Sequence, residues 1–213
     1  GGVTLDLAGF ELQGVPGSLD GVSDTAGVSN VHIRNGSIRD WGDRGVDCVS
    51  SESASIADLS ARNCVGTGIG VGRYSTVARC RVESNGGGGI STTFDCLLTG
   101  CTVELGGFGI FTGAHCRVVD CLASGNGDNG ITTGVASTIA GCAVTGSAVT
   151  GFALSSGCTI SNSSASANAG TGITAGDGCT VASCTSTGNA AHGIAAASNS
   201  VVSGCSTAGN ALD

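Results

Sequence analysis

Four aromatic side chains, a set of charges and twelve cysteines carry the chemistry open to this 213-residue chain. Trp41, Tyr74, Phe94 and Phe111 could stack on sugar rings. Trp41 lies in the run Arg39-Asp40-Trp41-Gly42-Asp43-Arg44 and is the best single candidate; its other reading is a loop anchor. Asp47 and Arg73 are the acid and base to change first in any test for activity. Further charges align as Asp58, Arg79 and Asp120, and as Arg62, Glu83 and Glu104 beside Arg81. Such alignments serve either an acidic or sugar ligand or a solvated face of exposed ion pairs, each worth little. The cysteines suggest a disulfide framework or zinc sites at first sight. Zinc is disfavoured because no Cys-x-x-Cys occurs and only His32, His115 and His192 could assist.

Composition narrows the classes. Glycine supplies 39 residues against one proline, with no third-position periodicity, which excludes collagen. A charged fraction of 11% with recurring Ile, Val, Leu and Ala argues against disorder. No run of about 18 apolar residues predicts a membrane span. Acids outnumber arginines 16 to 8 and no lysine is present, so nucleic acid is not an expected partner. The chain opens Gly1-Gly2-Val3 inside a strand-like pattern, which reads as a processed form or a fragment lacking caps.

What positions these residues is a repeat. Glycine followed by an apolar residue recurs at Gly45, Gly68, Gly89, Gly109, Gly130, Gly151, Gly172 and Gly193, with spacings of 23, 21, 20, 21, 21, 21 and 21. A period of this size signals a solenoid. With the glycine as position 1, position 2 is nearly always Ile, and position 10 Val, Ile or Leu. Cysteine or serine fills positions 8 and 13, and position 18 carries Asn85, Asn126, Asn168, Asn189 and Asn210. Alternation around positions 8 to 10 and 13 to 15 is a strand signal, and glycine density disfavours helix. The spacing predicts an all-β, single-domain parallel β-helix with three short strands per coil. Residues 1–44 form irregular N-terminal coils and residues 45–213 regular ones, about nine full coils and a partial one. Stacked at about 4.8 Å per coil, they make a rod of roughly 45 Å. In-register stacking puts Ile on Ile, Cys on Cys and Asn on Asn, the last as an amide ladder. The cysteines then read as unbridged small core residues, with scattered disulfides the alternative, above all at Cys96/Cys101, Cys116/Cys121 and Cys179/Cys184.

These units resemble the right-handed parallel β-helix repeats of the pectate-lyase-like superfamily. Val3, Leu5 and Phe10 match Val31, Ile33 and Ile38 in offset, as in the early coils of secreted bacterial β-helix proteins. The resemblance implies an extracellular or cell-surface location. It also implies a carbohydrate-active alternative, a polysaccharide lyase, epimerase or binding module. Lyase chemistry of that kind needs a base, commonly arginine, and calcium held by acids on one outer face. The face after the repeating glycine reads Asp47, Gly70, Ser91, Phe111, Thr132, Ala153, Thr174 and Ala195, with a single acid and no arginine. Gly86-Gly87-Gly88-Gly89 has no following Asp, so no calcium motif is present and no cofactor is expected. A paired-carboxylate hydrolase would want acids roughly 5–10 Å apart, which this face does not supply. The expected function is a non-catalytic extracellular structural or interaction β-helix. Its partners would be its own copies stacked end to end, further coils of a longer chain, or a polysaccharide. Ligand contacts are expected at Trp41, Asp47, Arg73, Tyr74 and Phe111.

Overall fold

A computed structural model describes residues 2–15, 17–24 and 26–212. It contains strands only, all paired in parallel with the equivalent strand about 21 residues away. Nine strands, from Val22–Ser23 through Thr67–Val71 and Phe108–Thr112 to Ile194–Ala196, stack as the first face. The second face runs from Val3–Asp6 through Thr76–Ala78 to Val201–Ser203, and the third from Glu11–Gln13 through Arg81–Glu83 to Ser206–Ala208. Two long strands, Val31–Arg39 and Ser55–Arg62, cross from the second face to the third and join them into one 18-stranded sheet. Residues 2–44 are therefore already wound in register: Val3 pairs with Val31 and Leu12 with Ile38. The extra residues of these early coils sit mainly in a longer first corner.

The inward columns follow the repeat. Ile69, Ile90, Ile110, Ile131 and Ile173 are fully buried along the first face, and Val77, Leu98, Val118, Ile139 and Ile160 along the second. The third column narrows from Val82 and Val103 to Ala123, Val144, Ala165 and Ser186. Such a core has no lumen, only stacked like side chains at the sheet spacing.

Each regular strand of the second and third faces is three residues long because a left-handed residue stands on both sides of it. Tyr74, Arg79 and Ser84 have φ of 59°, 52° and 56°, and Asp95, Gly100 and Leu105 have 57°, 60° and 54°. These are positions 7, 12 and 17. Non-glycine residues rarely adopt this conformation, so three columns of them show how strongly the stack imposes its corners. The next residue, at position 8, 13 or 18, points inward at the corner. Positions 8 and 13, expected as strand residues, are thus corner residues, and the strands begin one residue later.

That placement explains the cysteines. The Cys158 N–H is accepted by the Cys179 Sγ of the next coil at 3.3 Å, and the Cys179 N–H by the Ser200 Oγ at 3.1 Å. The sulfur also donates backwards, as from Cys179 Sγ to the Ser155 carbonyl at 3.0 Å. A corner side chain must be small, accept one N–H and donate to a carbonyl. Thiol and hydroxyl both do this, so serine and cysteine interchange in these columns. None of the twelve cysteines is bridged, and all but Cys205 are buried. The amide ladder forms at the third corner: Asn168 Nδ2 donates to Asn189 Oδ1, and Asn189 Nδ2 to Asn210 Oδ1, both at 2.9 Å.

Burial pushes the Cys48 thiol up to about 11 from its ordinary value of 9.0 and raises Cys64, Cys179 and Cys184 as well. The folded state favours the neutral thiols. Their contribution is complete below the unfolded value and is lost as pH rises through the folded one. Stability should therefore fall on titration from about pH 9 towards 11. At pH 8 the folded protein should alkylate slowly, Cys205 first, and the denatured protein should titrate twelve thiols. Near-zero free thiol in the denatured chain would show that bridges form after all.

Candidate functional site

Two stretches of outer surface gather the side chains that could act on a ligand. The first lies on the first face between the Gly45 and Gly109 coils. Its floor is Asp47, Gly70, Ser91 and Phe111, aligned strand to strand, so Asp47 and Phe111 lie three coil steps, roughly 14 Å, apart. Arg44 Nη1 holds Asp47 Oδ1 at 2.7 Å. A Cβ on Gly70 would come within 3.0 Å of the Val49 side chain and 3.6 Å of Arg44 Nη1, so these two side chains lean over the floor. At the other end Phe108 and Phe111 meet edge to face, with centroids 6.3 Å apart. The Phe108 ring occupies the space a Cβ on Gly88 would need, at 2.4 Å, while Gly86 and Gly87 press on the backbone of the preceding coil. The four-glycine run is therefore a packing surface, with a ring laid across it.

Along one edge of this floor runs the first corner, where Arg73-Tyr74 and Phe94-Asp95 occupy the same positions in successive coils. The Tyr74 N–H donates to the Phe94 carbonyl at 3.1 Å. Arg73 Nε donates to Glu52 Oε1 at 2.8 Å, and its guanidinium lies 5.8 Å from the Tyr74 ring centroid. The hydrogen bond to Glu52 and its charge hold Arg73 still more firmly in its charged form. A cavity of about 300 Å³ opens here, lined by Val49, Glu52, Arg73, Thr93 and Phe94 among others. Tyr74, Phe94 and Phe111 are 56%, 55% and 48% exposed, large values for rings in a chain with seven aromatics.

Of the five expected contacts, the fold brings Asp47, Arg73, Tyr74 and Phe111 to this surface. Trp41 is elsewhere. It stands at the third corner, partly buried against the core, with Nε1 donating to the Leu12 carbonyl at 3.3 Å. It anchors the early coils. Glu52, Arg44 and Phe108 were not singled out from the repeat: Glu52 belongs to a corner with two inserted residues, and Arg44 and Phe108 fill the variable position just before the repeating glycine.

The second stretch lies on the second face. His32 and Arg34 alternate outward on the strand Val31–Arg39 and line a cavity of about 410 Å³ with Thr4, Ser55, Asp58 and Arg79. Arg34 Nε pairs with Asp6 at 2.9 Å, and Arg79 grips both Asp58 oxygens at 2.7 Å. Hydrogen bonding from Arg79 lowers the Asp58 carboxyl below its ordinary value. The charges on the third face form a separate network in which Arg81 pairs with Glu83 and Glu104, and Arg62 with Glu11. Among the described residues no three His, Cys, Asp or Glu side chains gather where they could hold a metal ion. No helix is long and apolar enough to cross a membrane.

The family model described as "Right handed beta helix region" matches residues 21–139. The chain belongs to the right-handed β-helix family. No curated protein matches it in sequence. Among solved structures, the A-module of a mannuronan C-5 epimerase from Azotobacter vinelandii is similar in fold, with TM-score 0.66 and 16% identity over 84% of this chain and 64% of that one. A pectate lyase gives 0.61 and 15%, over 83% and 55%. An alginate lyase from Paenibacillus sp. str. FPU-7 gives 0.56 and 12%, over 95% and 90%. This β-helix thus spans less than two thirds of the epimerase module and of the pectate lyase. At such identities the likeness establishes the parallel β-helix of the pectate-lyase-like type, and the fold alone.

Proposed function

We propose that this β-helix holds a polysaccharide along its first face without cleaving it, outside the cell or at its surface. The observation that carries the reading is a set of exposed rings on three successive coils, Tyr74 and Phe94 at the first corner and Phe111 on the floor beside it. Solvent-facing rings spaced by one coil suit the apolar faces of consecutive sugars, and Arg73 beside them supplies a charged donor. The similar folds support the ligand class, since they belong to a mannuronan epimerase, a pectate lyase and an alginate lyase. The overall charge of −8 does not forbid an acidic polymer: residues 31–117 hold eight arginines and eight acids, and the excess acids lie nearer the two ends. Buried thiols inside the coils are shielded from oxidant, which reconciles twelve free cysteines with an exterior location.

Titration calorimetry with alginate, pectate and a neutral glucan tests this. Replacing both Tyr74 and Phe94 with Ala should weaken binding about tenfold or more, at about 1 kcal/mol per stacked ring. Unchanged affinity, or a bound oligosaccharide mapped to coils after Gly130, would remove the proposal. A lyase reading has one observation in its favour, the cavity that gathers His32, Arg34 and Arg79. Appearance of unsaturated uronate absorbance, with or without calcium, and its loss in His32→Ala would establish that reading instead.

A further inference from the structure

Ten of the twelve cysteines stand directly over or under another cysteine in the neighbouring coil. At the second corner Cys80, Cys101, Cys121 and Cys142 occupy the same place in four successive coils, as the pairing of Arg81 with Thr102, Thr102 with Leu122 and Leu122 with Ala143 requires. All four are 1–2% exposed. The pairs Cys96/Cys116, Cys158/Cys179 and Cys184/Cys205 repeat the arrangement, the N–H of the first accepted by the Sγ of the second at 3.3–3.4 Å. Cys48 and Cys64 are the exceptions: the following coil sets Val71 against Cys48 and Asn85 against Cys64. Hydrogen bonds from the Cys121 and Cys80 thiols hold the Cys101 thiol below its ordinary value, so each sulfur of the run lies within reach of the next. These vertical pairs are reduced and make no contact with the surface that would hold a sugar.

In-register side chains repeat at the coil spacing, about 4.8 Å. Two thiolate–metal bonds of about 2.3 Å laid end to end span about 4.6 Å. A metal centred between two stacked sulfurs therefore fits without moving a coil, provided that it is content with two ligands in line. Among the described residues no three donors converge, so ions that require three or four find no place. Soft thiolate ligands select copper(I). We infer that the stacked thiols are binding sites for Cu(I), one ion held linearly between the two sulfurs of each pair, two such ions lying in the run of four. At each site two S–H bonds break and two Cu–S bonds form. Two protons leave to solvent, and no electron is transferred. The site keeps one negative charge, which corner N–H groups face, as Cys121 N–H does on Cys142 Sγ at 3.4 Å. The hydrogen bonds given up are long, 3.4–3.5 Å from the Cys101 and Cys142 sulfurs to carbonyl oxygens. Proton release means that binding tightens as pH rises.

Anaerobic equilibration of the reduced, folded protein with Cu(I), followed by desalting and metal analysis, tests this. About five Cu(I) should remain per chain, with near-ultraviolet thiolate-to-metal absorbance, two sulfur neighbours per copper by X-ray absorption, and an unchanged circular dichroism spectrum. Zn(II) offered alone should not be retained. Two double variants separate stacking from mere thiol content. Cys101→Ser with Cys142→Ser leaves no two thiols adjacent in the run of four and should lower retention to about three ions. Cys48→Ala with Cys64→Ser removes as many thiols but no stacked pair, and should retain the full number. Serine already stands in this column at Ser163, so the first variant keeps a corner that the fold accepts. Cys121→Ser alone, which isolates only Cys142, should lose a single ion and serves if the double variant melts early. Equal losses from the two double variants, three or more sulfurs around each copper, or retention accompanied by loss of the strand spectrum would each overturn the linear sites. Failure to retain copper would remove them altogether.

Discussion

Asn189→Leu should destabilise the C-terminal coils by about 4 kcal/mol, from two buried groups left unpaired at about 1–3 kcal/mol each and a crowded corner. Asn189 Oδ1 accepts both the Asn168 N–H at 3.1 Å and Asn168 Nδ2 at 2.9 Å. Leucine removes that acceptor and leaves two donors buried. A Cβ at Gly172 would already stand 2.6 Å from Asn189 Nδ2, so the branched leucine also meets a corner with no spare room. In a stack where each coil touches only its neighbours, the loss should appear as separate early melting of the coils after Gly151. Residue-resolved hydrogen exchange would locate it. Asn189→Ser removes the crowding but shortens the acceptor, as at Ser147, whose Oγ has no partner, so it should lose less than the leucine variant by the crowding alone. A leucine variant within about 1 kcal/mol of the parent would mean that the ladder contributes nothing beyond filling space.

Gly109→Ala should be as damaging or worse, above about 3 kcal/mol, because the obstacle is backbone. Its Cβ would lie 2.1 Å from the Gly130 carbonyl oxygen and 2.9 Å from Asn126 Nδ2. Relief requires prising the Gly109 and Gly130 coils apart, which breaks the parallel pairing of Ile110 with Ile131. Gly151 is placed in the same way, 2.4 Å from the Gly172 oxygen. Gly157→Ala is the contrasting substitution. Its Cβ would meet nothing within 4 Å, and the cost is confined to a φ of 68°, about 1 kcal/mol. Urea unfolding of the two variants separates close approach from backbone conformation. Equal losses would indicate that the repeating glycine is kept for its flexibility and not for its missing side chain.

The repeating glycine was legible in the sequence as punctuation, and the position-2 isoleucines after it as a buried column, because the period is nearly constant over eight coils. Cysteine at positions 8 and 13 was legible as stacked and unbridged. Its role as acceptor of the neighbouring N–H was hidden, because alternation alone places it on a strand and only the left-handed residues before it show the corner. The outer surface was less readable. Tyr74 and Arg73 could be named from type, but Glu52, one period of 21 residues before Arg73, lies in a longer corner and falls out of phase when counted from Gly45. Trp41 had the strongest chemical signature, and the structure sets it at the third corner with its Nε1 donating to the Leu12 carbonyl. His32 was weighed only as a zinc ligand, and Arg79, which lines the same cavity, lies two coils further along.

Corner bonding that at most corners joins a residue to its own counterpart one coil away has a consequence for how such a chain changes by descent. Excision of residues 130–150 would bring Asn129 directly before Gly151 and set Asn126, Cys121 and Cys116 against Asn168, Ser163 and Cys158, each of a kind already found as neighbours. Unequal recombination between repeats can therefore remove or add a whole coil without leaving an unmatched contact at the seam. Inheritance can adjust the length of the rod in steps of one coil, and the 20-residue unit that begins at Gly89 shows that a shortened coil leaves the later ones in register.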